Sequence, residues 1–269
     1  MRIGFLQFCP RFGDTQYNLN QILDLLEPVR ADLIVAPELA LTGYYFRSRE
    51  EALALSEPPM ESASVESLIG LCRRKNFRLI IGFAERLQDK CFNSALLLGP
   101  AGLEHTYRKI HLFNEEKRWF DPGDTPLQVA PVGEARVGMM ICFDWVFPET
   151  ARTLAVLGAD IICHPSNLVL TFCQRTMISR CLENGVFAIT ANRFGTDARP
   201  QGELSFTGHS QIVDPKGNLL ATAAAEERTV KVVEIDPTLA RDKQFTPLND
   251  LMKDRRPEFY MPLVAHKPD

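Results

Sequence analysis

Residues 139–150 read MMICFDWVFPET, and this stretch marks the point at which an apolar strand gives way to a helix. The apolar run ends on Cys142. Pro148 and Glu149 suit the first turn of the helix, where a missing N–H costs little and an acidic side chain is favoured. A buried cysteine is ordinarily a small hydrophobic residue. Sheet proteins also expose functional side chains at strand ends, so Cys142 is a candidate nucleophile.

The segments on either side of this stretch repeat the strand-then-helix pattern. Residues 31–39, ADLIVAPEL, are nearly all apolar, which indicates a strand covered on both faces. Within 15–29 the apolar residues recur at helical spacing, after Asp14 or Thr15 as cap. The predicted strands lie at 2–8, 31–39, 78–84, 135–141, 160–163 and 186–191, and the predicted helices at 15–29, 61–75, 148–158 and 171–184. This alternation predicts a layered α/β protein whose helices cover apolar sheets.

The remaining segments are predicted as strands and loops. Strands at about 93–98 and 103–109 flank the turn GPAG and form a hairpin. The loop 112–126 contains DPGD and is longer than a simple connection needs, which makes it a candidate functional loop. Residues 193–202, RFGTDARPQG, form a polar loop. The last third is rich in strands, which are predicted within 209–215, 217–223 and 229–236.

Composition excludes several classes of protein. The 269 residues carry a net charge of -4 with no long basic block, so a nucleic-acid partner is not expected. The N-terminus MRIGFLQFCP lacks the features of an export signal, and no run of about 18 apolar residues predicts a membrane span. Seven scattered cysteines, an odd number, fit a reducing cytoplasm better than a disulfide framework. Without a linker or low-complexity tract, one domain over 1–269 is expected.

Three chemically capable residues end apolar strands: Glu38 after LIVAP, Lys109 after HTYR and Cys142 after VGMMI. Each alone has an ordinary explanation, as a helix-start anion, an exposed edge charge and core filling respectively. A thiol is mostly protonated at neutral pH, so a nucleophilic cysteine needs a base for its proton and a cation for the developing negative charge. Together, Glu38, Lys109 and Cys142 supply a base, a cation and a nucleophile.

The motifs around these residues resemble the three signatures of the nitrilase, or carbon–nitrogen hydrolase, superfamily. The signatures are PEL at 37–39, YRKIHLF at 107–113 and ICFDWVFPE at 141–149, in the family's order. The resemblance extends to FLQF, LTGY, EEKRWFDPGD, ARTLAVLGADII and GHSQIVDPKG, so it covers nearly the whole chain. It implies a four-layer αββα sandwich, with two sheets face to face and helices outside.

The resemblance also implies a role for each matching residue. The family's Glu, Lys and Cys carry over onto Glu38, Lys109 and Cys142. The family has a second glutamate shortly before a PGD turn. Glu116 is the preferred match and Glu115 is the competing one.

The mechanism expected from this resemblance is an attack by Cys142 on an amide carbonyl. Glu38 would take the thiol proton, and Lys109 with the backbone N–H of Phe143 would stabilise the tetrahedral oxyanion. Glu116 would hold Lys109 and the substrate in register. No cofactor is needed. The histidine spacings and the lack of a CxxC pair predict no structural metal.

The residues that follow the nucleophile bear on the substrate. True nitrilases tend to have Trp-Glu there, whereas Phe143 and Asp144 resemble amidases and carbamoyl hydrolases. Several relatives that act on carboxylates place an arginine four positions after the cysteine, where this chain has Val146. We therefore expect a small neutral amide or N-carbamoyl compound as substrate, with a nitrile as the alternative.

Five further residues are candidates for the substrate pocket. Trp145 and Val146 either pack against the sheet or give the pocket an apolar wall. Asn167, Asn192 and Arg193 follow later strands and are expected to line the pocket.

Two rival functions remain open at this point. A cysteine protease would use His164 or His209 as its base, although neither lies in a recognisable motif, and His111 is expected to be structural. A binding or scaffold protein would keep the fold without catalysis, which the four intact positions disfavour.

The C-terminal stretch 246–269 resembles the family's extension that packs across a subunit interface. Its segment NDLMKDRRPEFY is basic and aromatic, and either it is a flexible terminus or it docks on a partner subunit. Because Phe259, Tyr260 and Leu263 are costly to leave exposed, a homodimer or larger homo-oligomer is expected.

Overall fold

The chain forms two six-stranded mixed sheets, and the computed structural model describes residues 1–265. In both sheets the central strands run parallel and the outer strands antiparallel. Strands are numbered in chain order. The first sheet has the order β14-β1-β2-β3-β4-β5, with β1 (Arg2–Gln7), β2 (Leu33–Val35), β3 (Arg78–Leu87), β4 (Lys90–Gly99), β5 (Gly102–Arg108) and β14 (Thr229–Glu234). The second has the order β13-β12-β9-β8-β7-β6, with β6 (Val129–Val132), β7 (Ala135–Met139), β8 (Ile161–Ser166), β9 (Phe187–Asn192), β12 (Gln211–Val213) and β13 (Leu219–Thr222).

Helices and two short hairpins complete the structure. The helices are α1 (Thr15–Leu26), α2 (Arg49–Leu55), α3 (Ala63–Lys75), α4 (Glu116–Trp119), α5 (Pro148–Val156), α6 (Cys173–Asn184) and α7 (Pro262–Ala265). The hairpins pair β10 (Phe194–Arg199) with β11 (Gly202–Thr207), and β15 (Gln244–Thr246) with β16 (Asn249–Asp250).

The alternation of side chains along each strand produces the four layers. In β2, Leu33 and Val35 lie in the core cluster shared with the second sheet, while Ile34 lies in the cluster formed with α1 and α3. On the other side, α5 and α6 pack against the second sheet through residues such as Leu154 and Met177. Because successive side chains of a strand point to opposite faces, a run that is apolar at every position is buried on both sides. The expected αββα sandwich is confirmed.

Local chemistry sets the ends of the helices. Asp14 caps α1 by accepting a hydrogen bond from the backbone N–H of Tyr17. The helix ends at Leu26, three residues before the predicted end, because Pro28 has no N–H to continue the helical ladder. Helix α3 begins after Ser62, whose side chain accepts from Val65, and ends before a left-handed Asn76.

Two predicted loops contain regular structure. The supposed polar loop 193–202 is largely strand, because β10 and β11 form a hairpin there. Its side chains alternate without an apolar face, so hydrophobic periodicity gave no signal. The loop 112–126 contains the four-residue helix α4, which is shorter than any pattern can indicate. Helix α2 and strand β6 were not predicted either.

Candidate active site

Three strand ends meet to form one buried cluster. Glu38 follows β2, Lys109 follows β5 and Cys142 follows β7. The Nζ atom of Lys109 lies 2.7 Å from Oε1 of Glu38 and 2.8 Å from Oε1 of Glu116. The side chains of Glu38, Lys109 and Glu116 are fully shielded from solvent, and Cys142 is 6% exposed. Of the two glutamates considered for the loop, the structure places Glu116 in this cluster.

Close backbone packing fixes Glu38. The residue after it, Leu39, has a left-handed φ of 47°, and the turn lies directly on Gly82 of β3. Hydrogen bonds join Gly82 N to Pro37 O at 3.0 Å and Ala40 N to Gly82 O at 3.0 Å. A Cβ atom at Gly82 would lie 2.6 Å from the carbonyl carbon of Glu38. Only glycine therefore fits beside this turn.

The DPGD turn of the long loop holds Lys109. The backbone N–H of Lys109 donates to Asn93 O at 2.8 Å, and its carbonyl accepts from Gly123 N at 2.8 Å. Lys109 is thus bonded to β4 on one side and to the DPGD turn on the other. The hydrogen bond to Lys109 therefore fixes the position of the DPGD turn.

Glu116 is the first residue of α4, and three donors hold its carboxylate. Besides Lys109, the hydroxyl of Tyr44 donates to Oε1 at 2.6 Å and the N–H of Phe113 donates to Oε2 at 3.2 Å. Burial and the charge of Glu116 raise the pKa of Tyr44 well above its ordinary value, so its hydroxyl keeps the proton that it donates. Glu115 instead points outward and pairs with Arg118 at 3.0 Å.

A tight turn presents Cys142. The residue has a φ of 41°, which is unfavourable for a side chain with a Cβ atom, and it begins a 3-10 helix over Cys142–Val146. Asp144 stabilises this turn because its Oδ2 accepts from Ile141 N at 2.8 Å and from the hydroxyl of Tyr107 at 2.7 Å. Its Oδ1 lies 2.8 Å from Nδ1 of His111. Asp144 therefore ties the cysteine turn to the segment that carries Lys109.

The histidines considered as bases for the thiol have other partners. Nε2 of His164 lies 2.9 Å from the carbonyl oxygen of Cys142, and Nδ1 lies 3.2 Å from Thr190 Oγ1. Burial lowers the pKa of His164 to about 4, so this histidine is neutral and its Nε2 donates to that carbonyl. Nδ1 of His209 lies 3.3 Å from Ala223 O, and the ring of His111 stacks on Phe147. These contacts favour structural roles, as expected for His111.

Burial and mutual charge shift the pKa values in the cluster. Burial raises the pKa of Glu38 to about 7, with the charge of Lys109 opposing this shift and that of Glu116 adding to it. Burial alone lowers the pKa of Lys109, but the charges of Glu116 and Glu38 outweigh it and hold the pKa above its ordinary value. Burial and the charge of Glu38 raise the pKa of the Cys142 thiol. At neutral pH the thiol is therefore protonated and needs a base.

The candidate pocket residues have different surroundings. Trp145 is buried, with its ring edge-to-face against Phe172 at 5.5 Å, and Val146 is half-buried against the core. Asn192 uses its side chain to bond the backbone of Leu168 and Gly208. A role for these three residues in a pocket stays a prediction.

Arg193 and Asn167 differ in whether they contact the buried cluster. Arg193 forms a buried two-bond ion pair with Asp197, with both distances 2.9 Å, and its charge is neutralised there. Asn167 lies against the cluster, because its Nδ2 donates to Glu38 O at 2.9 Å, and its backbone N–H lowers the pKa of the nearby Cys142 thiol. Only Asn167 of the two contacts the residues of the cluster.

Residues 1–265 contain neither a metal-binding group of side chains nor a membrane-spanning helix. Within that range no three His, Cys, Asp or Glu residues are grouped so as to hold a metal ion. No helix in the described part of the chain has the length and apolar character needed to cross a membrane.

The two-sheet sandwich and the cluster at its strand ends define a hydrolase of carbon–nitrogen bonds. The model of the carbon–nitrogen hydrolase family matches residues 2–244, and the chain belongs to this family. It is 41% identical to a nitrilase from Pyrococcus abyssi, with 97% of this chain and 99% of the relative covered. It is 36% identical to an (R)-stereoselective amidase from Pseudomonas sp, with 95% and 92% covered.

A solved structure supports both fold and chemistry. A mutant of the Nesterenkonia AN1 amidase, from the nitrilase superfamily, superposes with a TM-score of 0.83 at 27% identity, covering 98% of this chain and 97% of that chain. In another mutant of that amidase, acrylamide has added to the active-site cysteine. The chain is thus an enzyme of the amidase and nitrilase type.

Proposed function

We propose that Cys142 is the nucleophile, Glu38 its base, and Lys109 with the backbone N–H of Phe143 the oxyanion site. The observation that carries this assignment is the contact of Lys109 with both Glu38 and Glu116 in a cluster closed to water. Phe143 stands at the start of the 3-10 helix, where N–H groups have no partner within the helix. The Glu116 carboxylate holds Lys109 in place.

The reaction runs through a thioester. Glu38 takes the thiol proton as the sulfur of Cys142 attacks the amide carbonyl, and the oxyanion forms between Lys109 and the N–H of Phe143. Glu38 then returns the proton to the scissile nitrogen, the C–N bond breaks and ammonia leaves. A water molecule loses a proton to Glu38 and attacks the thioester, and Cys142 leaves with that proton as the acid is released. With a pKa of about 7, Glu38 is suited both to accept a proton and to donate one near neutral pH.

The substrate that we propose is a small neutral amide or N-carbamoyl compound. When Glu38 is ionised, Glu38 and Glu116 carry two negative charges against the single positive charge of Lys109, so the active form of the cluster repels a nearby substrate carboxylate. Arg193 is neutralised by Asp197, and Val146 stands where some relatives have an arginine. The similarity to the Pseudomonas amidase supports an amide, whereas the similarity to the Pyrococcus nitrilase keeps a nitrile as the second candidate.

A substrate panel tests this specificity. We expect kcat/KM to be highest for a short aliphatic primary amide and at least tenfold lower for its ω-carboxylated analogue. A charge-assisted hydrogen bond contributes roughly 1.5 to 3 kcal/mol, and the carboxylate finds no such bond here. Val146→Arg should move the preference toward the carboxylated amide. A wild-type enzyme that prefers that analogue, or the matching nitrile, would contradict the proposal.

Trapping the intermediate tests the nucleophile. Intact-protein mass spectrometry with a slow substrate should show an acyl adduct that maps to Cys142. Cys142→Ala should abolish turnover and leave the thermal unfolding midpoint near that of the wild type. Cys163→Ala is a matched control, because Cys163 is also buried but lies within β8. An adduct on another cysteine would reject the assignment.

We also propose that the tail of residues 246–269 docks on a second copy of the chain, in a homodimer or larger assembly. Residues 266–269 lie outside the described part of the chain. In the rest of the tail, Leu248, Leu263 and Val264 are 92%, 64% and 80% exposed. A recess of about 730 Å³ opens between the tail and helices α5 and α6. Apolar surface of this kind marks an interaction site more often than free surface.

For the whole chain we propose one domain over residues 1–269 that works in the cytoplasm without a nucleic-acid partner. All seven cysteines are free, which fits a reducing compartment. The net charge of -4 and the lack of a long basic block in the sequence do not favour a nucleic-acid partner.

A further inference from the structure

Three buried side-chain oxygens near the catalytic cluster have no hydrogen-bond partner. They are Oε2 of Glu38, Oδ1 of Asn93 and Oδ1 of Asn167. Buried polar atoms are nearly always bonded, so an unpaired one near a reaction site indicates a ligand that supplies the missing donor. All three atoms are acceptors, and the missing donors are therefore N–H or O–H groups of a substrate or of a water molecule that the substrate displaces.

Oε2 of Glu38 is explained by the proposed mechanism, because this atom is free to take the thiol proton. Oε1 is occupied, since it accepts from Lys109 at 2.7 Å and from Asn93 Nδ2 at 2.7 Å. The two asparagine oxygens are not used by any step.

Asn167 differs from Asn93 in what it touches. Asn93 contacts Glu38 and the backbone of Lys109. The side chain of Asn167 donates to the carbonyl oxygen of Glu38 at 2.9 Å, and its backbone N–H lies near enough to the Cys142 thiol to lower the pKa of that thiol. It is 3% exposed. An acceptor on Asn167 is therefore close to the position of the scissile bond.

The orientation of the Asn167 amide follows from its neighbour. The carbonyl oxygen of Glu38 only accepts hydrogen bonds, so the atom of Asn167 that lies 2.9 Å from it is the nitrogen. The oxygen is consequently the atom left without a partner.

We infer that Oδ1 of Asn167 accepts a hydrogen bond from the scissile nitrogen of the substrate, and so selects substrates whose leaving nitrogen carries hydrogen. This inference rests on the proposed function. A primary amide or a carbamoyl group supplies the N–H. An ester, an N,N-dialkyl amide or a nitrile does not, and leaves the buried oxygen unpaired. Asn167 is thus a specificity-determining residue for –C(=O)NH2 groups.

The test compares a primary amide with an ester of the same acyl group, because both form the same thioester. In Asn167→Ala, kcat/KM for the amide should fall by about fivefold to 150-fold more than kcat/KM for the ester, the range expected when one buried hydrogen bond is lost. In the control Asn93→Ala, amide and ester should fall by equal factors, because Asn93 acts only through Glu38. Equal losses in Asn167→Ala would make Asn167 a support for Glu38 and overturn the inference.

A second measurement keeps the inference testable if Asn167→Ala does not fold. The wild type should turn over the N,N-dimethyl amide at least fivefold more slowly than the primary amide, and equal rates would overturn the inference. A failure of this inference can be distinguished from a failure of the proposed function. A wild type that releases ammonia from no amide refutes the function, whereas one that does so with an unchanged amide-to-ester ratio in Asn167→Ala refutes only the role of Asn167.

Discussion

At the scale of single residues, the site holds three ionisable groups where water is excluded. An unpaired buried charge is strongly destabilising, and here each carboxylate has several donors. Glu38 is bonded by Lys109 and Asn93, and Glu116 by Lys109 and Tyr44. Burial raises the pKa of Glu38 to about 7, and the negative charge of Glu116 adds to this shift while the charge of Lys109 opposes it. Glu38 is therefore the member of the cluster that exchanges a proton near neutral pH.

The first prediction at this scale concerns the acid limb of the pH profile. In the mechanism that we propose, Glu38 can act as a base only when it is ionised, so kcat/KM should fall tenfold per pH unit below about pH 7 and level off above it. Steady-state rates from pH 5 to 9 measure this limb. Glu38→Gln should lose most activity, and its residual rate should lack the limb. A flat wild-type profile down to pH 5 would contradict the assignment of Glu38 as base.

The second prediction separates the two adjacent glutamates. Glu116→Gln removes the charge that holds Lys109, and bonds to charged groups contribute roughly 1.5 to 3 kcal/mol, so kcat should fall roughly tenfold to 150-fold. Glu115→Gln is the matched control, because Glu115 is exposed and pairs only with Arg118; its kcat should stay within about twofold of wild type. The opposite pattern would mean that the glutamate is misassigned.

The sequence indicated the three strand-end residues that meet in the cluster, but not the residues that hold them in place. Glu38 and its Lys and Cys partners stand in recognisable motifs at strand ends. Tyr44 lies 72 residues from Glu116, and Asn93 lies 55 residues from Glu38, so only the folded chain brings these pairs together. Tyr44 belongs to the recognised LTGY segment, yet nothing local gives its hydroxyl a partner. Asp144 was read as a marker of substrate type, and its structural bonds became visible only in three dimensions.

At the scale of elements, the site is formed by residues at the ends of the strands and not by residues within them. Strands β2 and β3 run parallel and in register, with Val35 opposite Ile80. This pairing brings Gly82, two residues further along β3, against the turn that carries Glu38. The lack of a side chain at Gly82 is thus what lets the turn approach the neighbouring strand.

This packing gives a prediction at the element scale. Gly82→Ala would place a Cβ atom onto the backbone of Glu38 and Leu39, which cannot move aside as a flexible side chain would. We expect a loss of stability of about 1 to 3 kcal/mol from overpacking and a loss of activity in the molecules that fold. Gly70→Ala is the control, because Gly70 lies in α3 and a Cβ atom added there would be 3.7 Å from its nearest neighbour. It should stabilise the protein by about 0.5 to 1 kcal/mol. Thermal unfolding followed by circular dichroism measures both changes.

Prediction of the elements succeeded where apolar residues form a continuous run or recur at helical spacing. The strands predicted at 78–84 and 186–191 and the helix predicted at 61–75 lie close to the observed elements. Their sequences contain the pattern of apolar residues that is typical of buried segments. The hairpin of β10 and β11 is mostly half-exposed or exposed and has no such pattern. Its pairing depends on backbone hydrogen bonds, which any sequence can make.

At the scale of the whole molecule, the C-terminal tail lies on the surface of the sandwich, where Met252 packs against the core. Lys243 anchors its start by donating to the carbonyls of Asn184 and Gly185 at the end of α6. Beyond this anchor, Phe245 and Leu248 are 70% and 92% exposed. The described part of the chain therefore leaves apolar surface that a second subunit can cover.

The corresponding prediction concerns assembly. Leu263→Asp should weaken a two-fold dimer twice, once for each subunit. With about 1.5 to 3 kcal/mol for each buried leucine, the dissociation constant should rise roughly 10²- to 10⁴-fold. Light scattering coupled to size-exclusion chromatography measures the mass. Met60→Asp is the control, because Met60 is 76% exposed and lies away from the tail, between α2 and α3. An unchanged mass for Leu263→Asp would exclude the tail from the interface.

The protonated state of the resting thiol has a consequence for chemical inhibition. Burial raises the pKa of Cys142 and of five other cysteine thiols, which are Cys72, Cys91, Cys163, Cys173 and Cys181. General alkylating reagents attack thiolates, so at neutral pH they have little reason to prefer the nucleophile over other buried thiols. In the mechanism that we propose, an electrophile carried on an amide scaffold is different, because its carbonyl would engage Lys109 as the proton moves to Glu38. Inhibitor selectivity for this enzyme should therefore come from the carbonyl that precedes the reactive group, and a weakly reactive warhead should serve better than a strong one.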